Sequence, residues 1–271
     1  EQSSETFNRM QLDAGRIEAL LLTHFHSDHI GGLGSVNMQR WVADGERPAL
    51  RVLGPPGVKR VVGGVNEAYA LDCSYRTAHH GERIAKPGTS AMVAEEFPMP
   101  EDEETAVVID EGGLKVTTFA VDHKPVEPAV GFRFDYAGRS AVISGDTVYS
   151  PPLVAASKGA DLLVHDALSR ELLKLVEDAA GDAGRKVRQQ LMADIWDYHA
   201  TPEEAARAAA EAEVGALALT HIVPPLPLKG LEGPFLGDSR KLFPGPLWLA
   251  QDGDLYSLPA DGSALGKSRL F

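Results

Sequence analysis

The sequence predicts an α/β fold, and three observations carry that prediction. Strand-like apolar runs alternate with helical patterns along the chain, with no internal repeat and no long low-complexity tract. Those runs end, one after another, in histidine or aspartate. The 271 residues are 44% hydrophobic and 24% charged, which is enough apolar material for a sizeable core. No linker divides them, so a single domain over 1–271 is expected.

The elements follow in order. "IEALLLTH" (17–24) reads as a buried strand that ends in ligand-type residues. The acidic run "EEFPMPEDEET" (95–105) reads as a solvated loop, because like charges repel and stay hydrated. "LKVTTFAVDH" (114–123), "AVGFRFDY" (129–136) and "SAVISGDT" (140–147) read as three strands, with "AGR" after Tyr136 as a hairpin-type turn. "ADLLVHDA" (160–167) and "GALALTHI" (215–222) are two further apolar runs with polar ends. "SRELLKLVEDAAG" (169–181) reads as a helix stopped by Gly181. "TPEEAARAAAEAEV" (201–214) is the clearest helix: Thr201 caps it, Pro202 opens its first turn, and Glu203 and Glu204 face the positive end of its dipole. The proline-rich "VPPLPLKG" (223–230) reads as a loop.

Charge and cysteine narrow the function classes. Lys and Arg number 26 against 39 Asp and Glu, a formal net charge of −13. Nucleic-acid binders draw much of their affinity from cations on phosphates, so this balance argues against a polyanionic partner. Cys73 is the single cysteine, which excludes an internal disulfide. No apolar run approaches the roughly 18 residues of a membrane span, so no membrane partner is expected. The chain does not open with a basic and then apolar signal segment. The compartment, cytoplasmic or exported after signal-peptide removal, is not legible.

The densest chemistry is "THFHSDH" (23–29), which places His24, His26, Asp28 and His29 in one turn. Imidazole nitrogens and carboxylate oxygens together suit Zn²⁺ and similar first-row metals. In His-x-His both rings leave the turn on one side, while Asp28 and His29 point elsewhere, so one turn can serve two ions. His123, Asp146, His165, Asp166 and His221 sit at further strand ends. Ligand sites form where loops leave strand ends, and five such ends suggest one convergent site.

With these residues in view, "THFHSDH" resembles the HxHxDH signature of the metallo-β-lactamase superfamily. Further motifs follow in family order. "VDHKPVEPAVGFRF" resembles the third-motif segment of the ribonuclease Z and arylsulfatase-like branch. "ISGDT" resembles the metal-bridging aspartate motif, "LLVHDA" a His-Glu motif, and "HATPEEAARAA" a His-x-Thr helix start. "LALTHI" resembles the last ligand motif, and "FPGPLWLAQDGDLYSLP" the closing strands. The likeness runs from about Ile17 to Pro259. It implies an α/β four-layer αββα sandwich. Family members open with strands carrying a Gly-Thr-Gly-type turn and an Asp-x-Gly motif. Only 23 residues precede His24 here, so those strands are missing from this chain and are expected in the full gene product.

The resemblance also implies a dinuclear site. His24, His26 and His123 would hold one Zn²⁺ and Asp28, His29 and His221 the other, with Asp146 bridging; Mn²⁺ or iron are alternatives. Catalytic parts fall to Asp28, to His199 as proton donor to the leaving oxygen, and to Asp166, which stands where the family has glutamate and would orient His199. The attacking species would be a metal-bridging hydroxide. His165 either supports a ligand from behind or is a structural histidine. His79 and His80 match no motif and receive no role. His123 and Asp146 are 23 residues apart, which leaves no room for the protruding arm of tRNA-processing relatives. Residues 170–199 hold five Lys and Arg against six Asp and Glu, so they form no basic clamp. Both features argue against tRNA. A small phosphodiester or sulfate ester is the leading substrate class, a β-lactam or lactone the alternative, and a non-catalytic metal-binding module the reading from another class. A homodimer is left open.

Overall fold

The computed structural model describes residues 3–101, 104–260 and 262–271. They divide into two compact units, the first of residues 3–99, 252–255 and 268–271, the second of the described residues among 100–251 and 256–267.

The first unit contains α1 (Ser3–Arg9), β1 (Ala19–Leu21), α2 (Ser27–Ile30), α3 (Leu33–Ala43), β2 (Arg51–Gly54), α4 (Val58–His80) and β3 (Val93–Glu96). Its strands form a parallel sheet in the order β1-β2-β3. Leu22, Leu33, Leu50, Val52, Val58, Val62 and Met92 make its main core. Trp41 packs with Met38 and Ala85, and its indole N–H donates to the Thr89 hydroxyl at 3.1 Å, so the buried ring keeps a partner for its polar edge.

Two expectations need correction here. The strand expected over 17–24 is only three residues long and half-buried, because the chain turns before reaching His24. The acidic run does not begin as a loop: Glu95 and Glu96 close β3. Arg51, on the neighbouring strand, grips the Glu95 carboxylate at 2.7 and 2.9 Å, and Glu96 accepts from the Gly57 N–H at 2.9 Å. Both carboxyls are held below their usual range, Glu95 chiefly by the Arg51 bond and Glu96 by the Gly57 bond. Asp102 and Glu103, later in that run, lie outside the described residues.

The second unit contains β4 (Thr105–Glu111), β5 (Leu114–Ala120), β6 (Val130–Tyr136), β7 (Arg139–Ile143), α5 (Pro151–Ser157), β8 (Leu162–Leu168), α6 (Arg170–Asp182), α7 (Lys186–Asp194), α8 (Pro202–Glu211), β9 (Leu217–Val223), α9 (Glu232–Leu236), α10 (Ser239–Leu242) and β10 (Leu247–Leu249). A mixed seven-stranded sheet runs β10-β9-β8-β7-β6-β5-β4. It is parallel from β10 to β7 and antiparallel from β7 to β4. Then β11 (Asp254–Ser257) and β12 (Gly266–Arg269) form a two-stranded ribbon.

The predicted "AGR" turn is a two-residue hairpin loop. Ala137 and Gly138 both have positive φ, 49° and 78°, and Tyr136 pairs with Arg139 across it. The helix expected from Thr201 carries a full capping box, with the Thr201 hydroxyl on the Glu204 N–H and the Glu204 carboxylate on the Thr201 N–H. Its Ala205, Ala206 and Ala209, with Ala212 at its C-cap, pack into the core with Phe119, Val142, Leu163, Leu217 and Leu219. Small side chains let this helix approach the sheet closely. The helix expected to stop at Gly181 runs on to Asp182. The left-handed position that ends such a helix is taken by Gly184 instead, at φ 67°.

Candidate active site

In the second unit the sheet topology brings the candidate residues to one edge. β5, β7, β8 and β9 all run the same way, because β6 lies antiparallel to both β5 and β7. Their C-terminal ends therefore share an edge; His123 and Asp146 lie just beyond β5 and β7, and Asp166 and His221 lie in the last residues of β8 and β9. The loops after β5 and β7 are tied together: the Thr147 hydroxyl donates to the Asp122 carbonyl at 3.1 Å and the Val148 N–H donates to the same oxygen at 2.9 Å.

Asp146 is buried, and its Oδ2 lies 3.5 Å from Nε2 of His221 and 3.9 Å from Nε2 of His123. His123 Nδ1 lies 2.9 Å from the Tyr198 carbonyl. A carbonyl only accepts, so Nδ1 carries the hydrogen and Nε2 keeps its lone pair on the Asp146 side, the arrangement usual in a metal-ligating histidine. His221 owes its position to a bulge in β9: Asp166 pairs with Thr220 and Ala167 with Ile222, which leaves His221 as the extra residue, at φ 45°. A bulge of this kind re-aims a side chain toward a site. Donor atoms of Asp146, His199 and His221 all lie within 4.8 Å of one another.

His199 stands just before the α8 cap, with its ring stacked on His221 at a centroid distance of 5.2 Å. Its Nδ1 lies 2.8 Å from Asp166 Oδ2, and both groups are buried. The shorter aspartate thus keeps the contact that the resemblance assigns to glutamate. Asp166 Oδ2 also takes the Thr147 N–H at 3.3 Å, and the Asp166 N–H donates to the Ser144 hydroxyl at 3.2 Å. Burial pushes the Asp166 carboxyl upward, but the nearby N–H groups of His165 and His199 outweigh it and hold the carboxyl below its usual range. His199 therefore faces a carboxylate and donates to it from Nδ1, which directs Nε2 away from Asp166.

In the first unit, His24 is fully buried and its Nδ1 lies 3.1 Å from the Thr23 hydroxyl. Its Nε2 lies 3.1 Å from His26 Nδ1, so two ring nitrogens converge on one point. The His29 ring lies 4.0 Å from that of His24, and its Nε2 is 3.4 Å from Asp28 Oδ2. α2 starts at Ser27 with His26 as its N-cap and carries Asp28 and His29; the spacing suggested that His29 points away from the His24–His26 pair, but its ring lies nearer to His24 than the His26 ring, whose centroid is 4.8 Å away. In each unit the donors are nitrogen and carboxylate oxygen, a set that fits Zn²⁺.

The sequence reading missed Tyr198, whose carbonyl sets the His123 tautomer, and the supports of Asp166, Thr147 and Ser144. Main-chain groups leave no side-chain signature; Thr147 and Ser144 did lie in the quoted "ISGDT". His79 and His80 end α4 as exposed residues with rings 4.6 Å apart. Basic groups suit a helix C-terminus, which gives them a place without a chemical role.

A family model described as the beta-lactamase superfamily domain matches residues 2–222. Ribonuclease Z of Mycobacterium sp. (strain KMS) is 36% identical over 240 residues, which cover 88% of this chain and 77% of that protein. Among solved structures, the metallo-beta-lactamase fold protein YhfI from Bacillus subtilis aligns with a TM-score of 0.58 at 17% identity, over 92% of this chain and 80% of that one. A diphosphatase from the PhnP family aligns with a TM-score of 0.57 at 19% identity, over 93% and 74%. These structural likenesses speak for the fold alone, the α/β metallo-β-lactamase fold.

Proposed function

The chain belongs to the beta-lactamase superfamily and is a metal-dependent hydrolase; from that premise we propose that it hydrolyses a small phosphodiester or sulfate ester. The observation that carries this reading is the buried His199–Asp166 pair at 2.8 Å, beside Asp146 and His221. An ester with a poor leaving group needs a proton delivered to the departing oxygen, and a strained amide needs it far less.

We read His24, His26 and His123 as ligands of one ion, Asp28, His29 and His221 as ligands of the second, and Asp146 as shared. Support comes from their order in the sequence and from the convergence of donors within each unit. Two Zn²⁺, with Mn²⁺ or iron as alternatives, would supply a water that ionises near neutral pH and positive charge against the charge that builds on the transferred group. The protein's own part is positional and acid–base. The Tyr198 carbonyl fixes the His123 tautomer. Asp166 holds His199 by Nδ1, so that a proton carried on Nε2 passes to the leaving oxygen as the water oxygen bonds to phosphorus and the bond from phosphorus to the leaving oxygen breaks. That oxygen takes the bonding pair and departs as an alcohol. Asp28 completes the set as ligand and neighbour of the reacting centre.

Relatives named ribonuclease Z at 36% identity favour a second reading, an RNA phosphodiester. Against a substrate of tRNA size stands the short interval from His123 to Asp146, most of which β6, β7 and their two-residue turn take up.

The test is a substrate panel of bis(p-nitrophenyl) phosphate, p-nitrophenyl sulfate, a chromogenic cephalosporin and a short RNA with a 3′ extension, each with and without chelator. The expected result is chelator-sensitive turnover, fastest on the phosphodiester. Cephalosporin turnover without diester turnover overturns the reading in favour of amide hydrolysis. RNA cleavage well above that of the small diester favours the second reading.

A further inference from the structure

His165 takes no part in the chemistry above, yet it is among the most deeply buried polar residues of the second unit. It precedes Asp166 on β8. Its Nδ1 lies 2.8 Å from the Asp166 main-chain carbonyl and 2.9 Å from the Asp166 Oδ1. The carbonyl can only accept, so Nδ1 carries the hydrogen. The carbonyl takes the hydrogen bond, while the buried Oδ1 accepts none and is the close electrostatic neighbour of the same N–H. The far ring nitrogen, Nε2, is buried with no hydrogen-bond partner among the described residues. An imidazole that served packing alone would be replaced without loss by an apolar ring or a leucine. This one bears the desolvation of an unpartnered nitrogen, and its polar contacts go to Asp166.

The carboxylate it touches is held from several sides. Oδ2 takes the His199 Nδ1–H and the Thr147 N–H, while Oδ1 faces His165. An aspartate side chain has two rotatable bonds, and a partial rotation about the second would turn the carboxylate plane and swing Oδ2 away from His199. We infer that His165 is a positioning residue, whose Nδ1–H straddles the carbonyl and Oδ1 of Asp166 and so fixes the carboxylate plane in which Oδ2 meets His199. The inference rests on the proposed proton-donor role of His199, and it predicts a chemical consequence that a space-filling histidine would lack.

Side-chain isosteres separate the two. Asparagine places an amide nitrogen where Nδ1 stands; glutamine places one near Nε2; leucine places none. Metal-loaded His165→Leu and His165→Gln should lose roughly tenfold or more on an alkyl phosphodiester relative to their loss on bis(p-nitrophenyl) phosphate, because misplacement of a proton donor harms the poorer leaving group most. His165→Asn should recover most of that difference. A substrate-independent readout accompanies the kinetics: the low-field proton NMR signal of the His199 Nδ1–H, assigned by its loss in His199→Asn. It should shift upfield in the Leu and Gln variants and stay near its original position in the Asn variant. Should His165→Leu fail to fold, the Gln and Asn pair decides alone. An unchanged signal in His165→Gln, or equal losses on both esters, overturns the inference. Absence of any esterase turnover in the wild type sinks the functional reading instead, and the NMR comparison then still decides the positioning role.

Discussion

Replacing His199 by alanine isolates the proton delivered to the leaving group. The contact of 2.8 Å to Asp166 joins two buried groups, 4% and 1% exposed. A hydrogen bond to an ionised partner contributes about 1.5–3 kcal/mol. At about 1.36 kcal/mol per decade, that is roughly 10- to 150-fold in rate if all of it acts in the transition state. The proton transfer as a whole contributes about 10²–10⁴-fold. His199→Ala should therefore lower kcat/KM on an alkyl phosphodiester by about 10²–10⁴-fold. Asp166→Asn, which keeps the imidazole and loses the carboxylate, should cost roughly 10- to 150-fold. On bis(p-nitrophenyl) phosphate, whose leaving group departs without help, both losses should stay under about tenfold. The assay is steady-state hydrolysis of both esters, with metal content measured on each variant. Equal losses on the two esters, or loss of a metal ion from His199→Ala, would refute the reasoning and recast His199 as a ligand.

Three further substitutions test the framework around the site. Thr201→Ala removes the capping box of α8 and should cost about 1 kcal/mol in urea unfolding; no change would mean that packing of the alanine face alone holds this helix. Leu163→Ala empties a fully buried position in the main core of the second unit and should cost about 2–5 kcal/mol by the same measurement. Asp161 is paired with buried Arg139 at 2.9 Å and accepts from the Ser140 N–H. Burial raises its pKa, but the Arg139 and Ser140 bonds outweigh it and hold the carboxyl below its ordinary value. A depressed carboxyl stabilises the fold above its unfolded pKa of about 3.9, and that stability is lost as pH falls through the folded value. Asp161→Asn should thus cost about 2 kcal/mol at neutral pH, a gap to wild type that closes below about pH 4; a pH-independent gap would refute the linkage.

What the sequence revealed depended on whether a feature's cause was local. The ligand turn at His24–His29 was legible because its donors crowd one short stretch. The strands at 114–120, 130–136, 162–168 and 217–223 were legible because turn signals bound their apolar runs. α8 announced itself through Thr201, Pro202 and Glu204. α4, by contrast, buries only Val58 and Val62 along 23 residues, so it offers no broad apolar stripe to read. Glu95 reads as loop until Arg51, 44 residues earlier, is placed beside it. The bulge that presents His221 is a matter of register between β8 and β9, and no single strand's composition reveals register.

Asp146 is the residue on which the two-metal assignment turns, since it alone is read as touching both ions. Metal content of zinc-loaded, desalted protein, measured by mass spectrometry against protein concentration, addresses it directly. Wild type should retain two zinc ions per chain and Asp146→Ala one or none, with turnover of bis(p-nitrophenyl) phosphate lost in parallel. Two tightly held ions in Asp146→Ala, or none in the loaded wild type, would contradict the assignment.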